Sequence, residues 1–150
     1  MSEASGLRNA RLLSLTVEKA WQARTTIGRH AQLGGHELSA LQLLADQVMG
    51  PAELARILTV STAAATGIVD RLAARDLVER RPDAEDRRRT AIHLTAHGRA
   101  SLLRHLTPML AAIRGLEEGF TEAESAVVTR YLERAIDAFS QVAEPNTPPE

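Results

Sequence analysis

The stretch STAAATGIVDRLAARDLVERRPDAEDRRRTAIHLT, residues 61–95, indicates how the rest of the chain folds. Ser61 is a candidate helix N-cap, because a serine hydroxyl accepts one of the free N–H groups of the first turn. The helix that follows carries apolar side chains on one face: Ile68, Val69, Leu72 and Ala73. A strand pattern then covers 78–81, a polar turn follows, and a second strand pattern covers 90–94. A helix followed by a β-hairpin with arginines at its tip predicts a winged helix.

The segment just before this stretch supplies the first helix of a helix-turn-helix. Gly50-Pro51 interrupts the chain, and proline suits the first position of a helix because the N–H it lacks would be unpaired there. We therefore expect a helix over 51–58 and a turn at Thr59-Val60. The predicted fold is mainly α, with a small β-hairpin wing.

The spacing of residues across the hairpin resembles that of the MarR family (multiple antibiotic resistance regulators). That family carries Asp-x-Arg, five residues and then Leu-Thr, and this chain has Asp86, Arg88, Leu94 and Thr95 at that spacing. The runs S-x-x-x-x-T-x-x-V-D-R-L and D-L-V-E-R-R-P-D match the family as well. The resemblance implies a homodimeric, sequence-specific regulator of a pseudo-palindromic operator in double-stranded DNA. It further implies a repressor that a small aromatic or amphipathic ligand releases.

One segment departs from the family pattern. Family members place about four more residues between the Gly-Pro pair and the Glu-Leu-Ala of the next helix, whereas this chain continues directly into Ala52-Glu53-Leu54-Ala55. The short strand that normally precedes that helix is then either reduced to Val48-Met49-Gly50 or absent.

The outer segments predict dimerisation helices in a single domain, 1–150. Residues 7–33 and 95–142 carry apolar side chains at three- and four-residue steps, more than a small winged helix needs. Gly34-Gly35 is expected to stop the first helix, Thr95 to cap the next one, and Thr121 with Glu124 to form the capping box of the last. The winged-helix lobe is expected to span 36–94. The tail, 143–150, is rich in proline and polar residues and is expected to be disordered.

Candidate DNA contacts lie in the recognition helix and the wing. The helix offers small or polar side chains that permit close approach to a major groove: Ser61, Thr62, Ala64, Thr66 and Gly67. It is poor in Arg, Asn and Gln, so specificity is expected to draw on contacts with thymine methyl groups and on DNA shape. The alternative is an ordinary surface helix. Arg71 and Arg75 are expected either to contact phosphate or to pair with neighbouring acids.

The wing carries three consecutive arginines, Arg87, Arg88 and Arg89, after Asp86. A guanidinium is attracted to the concentrated negative potential of a narrow minor groove. Strand alternation would put the side chain of Arg88 on one face of the hairpin and those of Arg87 and Arg89 on the other. The pattern alone does not show which of the three enters the minor groove. The family resemblance points to Arg88 as the minor-groove residue, held by Asp86. The alternative is a solvated charge run.

Charge is unevenly distributed although the formal net charge is only −1. Residues 71–99 contain eight arginines and five acids, an excess of three positive charges, whereas residues 117–150 have an excess of six negative charges. Positive charge therefore concentrates around the predicted wing.

Other functional classes find little support. Cysteine is absent, which excludes disulfides and a thiol sensor, and the five histidines lack the spacing of a zinc site. No catalytic set appears, and Asp70 is interpreted as a structural partner of an arginine. We expect no enzyme activity, no cofactor, no metal, no membrane segment and a cytoplasmic protein. The alternative function is a helical module whose winged helix binds protein.

Trp21 and Arg24 on the first helix are the candidate ligand-binding residues. Trp21 either fills the core of the dimer or lines a ligand pocket, and Arg24, three residues on, would meet a carboxylate. Family members bind aromatic anions between the dimer helices and the DNA-binding lobe, which motivates the second reading.

Overall fold

The computed structural model describes residues 3–83, 86 and 88–143, and helices dominate it. The element order is α1 (Glu3–Ala31), α2 (Gly35–Asp46), α3 (Pro51–Ile57), α4 (Thr62–Ala73), β1 (Val78–Pro82), β2 (Thr90–Leu94), α5 (Ala96–Arg114) and α6 (Glu122–Ala143). This is the mainly α architecture with a β-hairpin that the sequence predicts. Arg87 and the tail residues 144–150 lie outside the described residues, so the expectations for them stay predictions.

The helix-turn-helix consists of α3 and α4, whose axes differ by 108° across the short connection. Such an angle is typical of this motif. Ser61 caps α4 as expected, because its hydroxyl accepts the N–H of Ala64 at 3.2 Å. Thr59 closes α3 in the left-handed region (φ 54°), which lets the N–H of Val60 reach the carbonyl of Ala55 at 3.0 Å. Left-handed backbone is unfavourable for a β-branched residue, so this turn is held by its surroundings.

The end of α1 differs from the expectation that Gly34-Gly35 stops it. The helix ends at Ala31, and Gln32 adopts the left-handed conformation (φ 54°). The N–H of Leu33 then bonds to the carbonyl of Gly28 at 2.8 Å, which satisfies a free carbonyl of the last turn. Gly34 instead lies just before α2, as its N-cap.

The wing is an antiparallel pair in which Val78 lies opposite Leu94 and Pro82 opposite Thr90. The third strand is reduced to a single bridge between Met49 and Ile92, whose N–H donates to the Met49 carbonyl at 2.9 Å. The shortened segment before Glu53 therefore keeps one contact with the sheet.

The chain divides into two compact units, residues 1–109 and residues 110–150. The first unit holds a core in which α2, α3, α4, the hairpin and the start of α5 bury aliphatic side chains. Those with at most 2% exposure include Leu38, Leu41, Leu54, Val69, Leu72, Leu77 and Ile92. Thr95 begins α5 as expected, since its hydroxyl accepts the N–H of Gly98 at 2.9 Å.

The second unit contains α6, which begins at the expected capping box. The Glu124 carboxylate accepts the N–H of Thr121 at 2.9 Å, and the Thr121 hydroxyl accepts the N–H of Glu124 at 3.3 Å. The Thr121 hydroxyl also donates to the Glu124 carboxylate, at 2.8 Å. The bond from the Thr121 N–H and this one together hold the pKa of Glu124 below its ordinary value. None of the described side chains from Leu110 to Val142 is buried, although many are apolar.

Candidate nucleic-acid interface

The first two turns of α4 expose the small and polar face that the sequence predicts as a DNA contact. Ser61, Thr62, Ala64 and Thr66 are exposed and Gly67 is half-buried, while the opposite face packs into the core. The Thr66 hydroxyl donates to the carbonyl of Thr62 at 2.9 Å, so only its acceptor capacity remains for a ligand. The structure thus brings these five residues together on one accessible surface.

Asp70 is bound by an arginine, which confirms the interpretation of its role. Its carboxylate accepts a hydrogen bond from Arg80 on β1 at 2.6 Å. The pair ties the recognition helix to the first strand of the wing. Both side chains are substantially exposed, so solvent screening keeps the contribution to stability small.

Arg71 and Arg75 make different contacts, although the same two alternatives, a phosphate or an acidic partner, were expected for both. Arg71 pairs with Glu37 on α2 through its Nε hydrogen. Arg75 donates instead to two backbone carbonyls at the end of α1, those of Gln32 at 2.7 Å and Ala31 at 2.9 Å. Among the described residues Arg75 thus has backbone acceptors in place of an acidic side chain, because the free carbonyls of a helix end are themselves strong acceptors. The alternative of a phosphate contact for Arg75 stays a prediction.

Glu37 is an acid on α2 that pairs with the recognition helix, and only 12% of its side chain is exposed. Partial burial acts to raise its pKa, but the hydrogen bonds from Arg71 and from the Gly34 N–H, with the positive charges of Arg71 and Arg75, outweigh it and lower the pKa. The Gly34 N–H donates to Glu37 at 2.8 Å, which caps the start of α2. Glu37 thus stays a carboxylate shared between two helices.

The wing tip is shaped by the carboxylate and carbonyl of Asp86. The N–H of Arg88 donates to that carboxylate at 3.0 Å, and the N–H of Arg89 donates to the Asp86 carbonyl at 2.8 Å. Asp86 therefore holds Arg88 through its backbone N–H. Both arginines are exposed and precede β2, so strand alternation does not separate them.

Sequence reasoning left two groups out of the site. Arg80 and Arg81 lie on β1, where Arg80 pairs with Asp70 and Arg81 pairs with Glu79. The alternation of the strand was the available signal for them. Glu37 was also missed, and its signal was the three-residue spacing after Gly34, which is that of a helix cap.

A cavity of about 420 Å³ lies between α1 and α2 and includes both candidate ligand residues. Trp21 is 69% exposed there, and Arg24 donates to the Ser39 hydroxyl at 2.7 Å. Arg29 is a second cation at the cavity that the sequence analysis did not identify. The remaining lining residues are Thr25, Gly28, Leu33, Gly35 and Leu38.

The described residues contain no metal-ligand cluster and no single membrane-spanning helix. Across residues 3–83, 86 and 88–143, no group of three or more His, Asp or Glu side chains is arranged to hold a metal ion. In the same residues no single helix has the length and apolarity to cross a bilayer, although α3 and α4 together would pass by length and composition.

Comparison with known proteins places these features in a family. A model of the MarR family matches residues 35–90. The HTH-type transcriptional repressor NicR of Pseudomonas putida is 37% identical over 124 residues, which cover 79% of this chain and 77% of that protein.

Solved structures share the fold. A MarR family protein from Bacillus stearothermophilus has a TM-score of 0.73 at 20% identity, over 93% of this chain and 99% of that one. A MarR mutant from E. coli complexed with operator DNA has a TM-score of 0.57 at 23% identity, over 84% of this chain and 91% of that one. With the winged helix described above, these relationships show that the chain belongs to the MarR family of transcriptional regulators, which bind DNA and are not enzymes.

Proposed function

We propose that this protein is a cytoplasmic homodimeric repressor that binds a pseudo-palindromic operator and is released by a small aromatic or amphipathic anion. The observation that carries the proposal is the exposed, small-residue face of α4 beside a wing tipped with arginine. A helix with such a face fits a major groove, and a guanidinium on an extended hairpin reaches the adjacent minor groove.

Within this proposal each part of the surface has a distinct role. Ser61, Thr62, Ala64, Thr66 and Gly67 approach the base edges, where their small size permits close contact. The exposed Arg88 and Arg89 enter or flank the minor groove, with Arg87 beside them in sequence. Asp86 supplies the turn that presents Arg88, through its bond to the Arg88 N–H.

Apolar surface that a single chain leaves uncovered supports the homodimer. On α6 the exposed apolar residues recur at helical spacing: Val127, Tyr131, Leu132, Ile136 and Phe139. Soluble monomers rarely expose a contiguous apolar stripe of this length. A two-fold dimer would present two copies of α4 to half-sites about one DNA turn apart.

Binding to DNA from the chain's own promoter region tests the DNA-binding proposal. Fluorescence anisotropy should give tight binding whose logarithmic affinity falls linearly with the logarithm of salt concentration, by ~0.9 per phosphate contact. A scrambled duplex of equal length serves as the control. Weak, salt-insensitive binding to both duplexes would favour the alternative, a winged helix that binds protein.

The cavity at Trp21 supports the effector part of the proposal. The indole of Trp21 and the side chains of Arg24 and Arg29 line the cavity and suit a flat anion, by stacking and charge pairing. The volume, about 420 Å³, lies within the range of small-molecule sites.

Contacts around the cavity also provide a route to the recognition helix. Gly35 and Leu38 line the cavity, and Glu37 between them pairs with Arg71 of α4. Arg75, two residues after the end of α4, binds the end of α1, the other wall. A ligand that changes the spacing of α1 and α2 would therefore shift α4, and it lowers DNA affinity if it favours the arrangement that fits DNA less well.

Titration with salicylate-like aromatic acids tests this effector. Trp21 is the sole tryptophan, so its fluorescence reports on the cavity directly. We expect a saturable fluorescence change and a loss of DNA affinity of roughly 5- to 150-fold, the usual range of allosteric coupling. Arg24→Ala should weaken the fluorescence response. If aromatic acids at millimolar concentration change neither the Trp21 fluorescence nor the DNA affinity, the effector assignment is contradicted. The DNA-binding proposal would not be affected by that result.

A further inference from the structure

Glu37 lies outside every surface assigned above to DNA, yet it holds an arginine of the recognition helix. Its Oε1 accepts from the Nε of Arg71, and its Oε2 accepts from the Gly34 N–H at 2.8 Å. The Glu37 side chain is only 12% exposed, whereas that of Arg71 is 62% exposed. The acid is therefore the fixed partner, and the arginine extends from it into solvent.

The bond to Glu37 uses only one edge of the guanidinium. Within the described residues, the structure gives the Nη nitrogens of Arg71 no hydrogen-bond acceptor. A Cβ added to Gly67 would lie 3.5 Å from Nη1, so the guanidinium lies along the side of α4 that carries Gly67. Its free N–H groups are thus located beside the face that is proposed to meet DNA.

A groove of about 560 Å³ runs along this part of the surface, between the start of α2 and α4. Small residues of α4 line it, namely Ala63, Ala64 and Gly67, and Arg71 stands at its wall. A groove of this kind leaves room for a sugar–phosphate backbone. Two parallel N–H groups of an arginine match the oxygens of a phosphate.

We propose that Glu37 is a positioning residue for DNA binding, which orients Arg71 so that its Nη groups bind a backbone phosphate beside the recognition helix. The inference rests on the proposed DNA-binding role of α4. A carboxylate that holds Nε lowers the entropy lost when the arginine binds its ligand, because the guanidinium is already oriented.

The direction in which one substitution changes DNA affinity distinguishes this role from a simple charge effect. Glu37→Gln removes a negative charge, and removal of a negative charge near DNA ordinarily tightens binding because repulsion falls. If Glu37 positions Arg71, the same substitution weakens binding. Glu18→Gln on α1 is the matched control, since Glu18 bonds only to Gln22 among the described residues.

The test is a double-substitution cycle on promoter DNA, measured by anisotropy over a range of salt. We expect Arg71→Ala to lower affinity about ten-fold and to reduce the salt slope by ~0.9. Glu37→Gln should lower affinity in the native background and have no such effect in the Arg71→Ala background. Arg71→Lys keeps the positive charge but loses the planar guanidinium that Glu37 orients, so it should retain the salt slope and lose affinity.

Other outcomes overturn the proposal. Tighter binding by Glu37→Gln would show that Glu37 competes with phosphate for Arg71. If Glu37→Gln lowered DNA affinity equally in the native and Arg71→Ala backgrounds, its effect would come from the fold and not from Arg71. If Arg71→Ala left the affinity unchanged, Arg71 would not belong to the interface. Should Glu37→Gln fail to fold, a wild-type affinity for the well-folded Arg71→Lys would equally contradict the inference. Absence of DNA binding by the native chain would instead overturn the proposed function itself.

Discussion

At the scale of single residues, Glu37 joins two helices with one carboxylate. It caps α2 through the Gly34 N–H and binds Arg71 of α4. Sequence alone could suggest the cap from the three-residue spacing, but the pairing with Arg71 spans 34 positions and depends on how α2 packs against α4. For the same reason the sequence could not decide between phosphate and acid for Arg71 and Arg75.

The lowered pKa of Glu37 predicts a pH-dependent contribution to stability. Because the folded-state pKa lies below the ordinary value of 4.5, the contribution is complete above about pH 4.5 and is lost as the pH falls through the folded pKa. Urea unfolding of native protein and Glu37→Gln should differ by about 1 kcal/mol at pH 7, a modest value because Arg71 is solvent-screened. The difference should shrink toward zero in acid. A difference that does not fall as the pH is lowered from 4.5 into strong acid would contradict the assignment.

At the scale of elements, the sequence predicted the hairpin and the recognition helix closely, because their signals are local. Ser61, Thr95 and the Thr121–Glu124 box all cap helices as expected. The end of α1 was placed wrongly because a left-handed Gln32 has no clear sequence signal. The reduction of the third strand to one bridge depends on the tertiary contact of Met49 with Ile92.

Gly98 is required where α5 leaves the wing. A Cβ at this position would lie 2.0 Å from the carbonyl oxygen of Leu77, a backbone atom that cannot rotate away. Gly98→Ala should therefore destabilise the protein by about 1–3 kcal/mol, as overpacking does. In Gly6→Ala, where a Cβ meets nothing within 4 Å, helix propensity should stabilise by up to ~1 kcal/mol. Denaturant unfolding of both variants should show a lower free energy of unfolding for Gly98→Ala and a higher one for Gly6→Ala.

At the scale of the whole molecule, the apolar face of α6 predicts a stable dimer. Light scattering at micromolar concentration should give twice the chain mass of 16.3 kDa. Ile136 is 63% exposed in the single chain, so Ile136→Glu should cost a monomer little. In a dimer it should weaken association strongly, whereas Ala126→Glu, at an exposed position of α6 outside the apolar face, serves as a control. A monomeric native chain would contradict the dimer.

The salt dependence of DNA binding by Arg88→Ala tests the central claim most directly, that α4 and the wing together form the DNA-binding surface. Arg88 is exposed at the wing tip, so its truncation should leave the fold and melting temperature unchanged. On promoter DNA the account predicts a weaker affinity and a salt slope reduced by ~0.9, the loss of one phosphate-equivalent contact. Arg104→Ala, an exposed arginine on α5, should keep the native slope. An unchanged affinity and slope for Arg88→Ala would contradict the account.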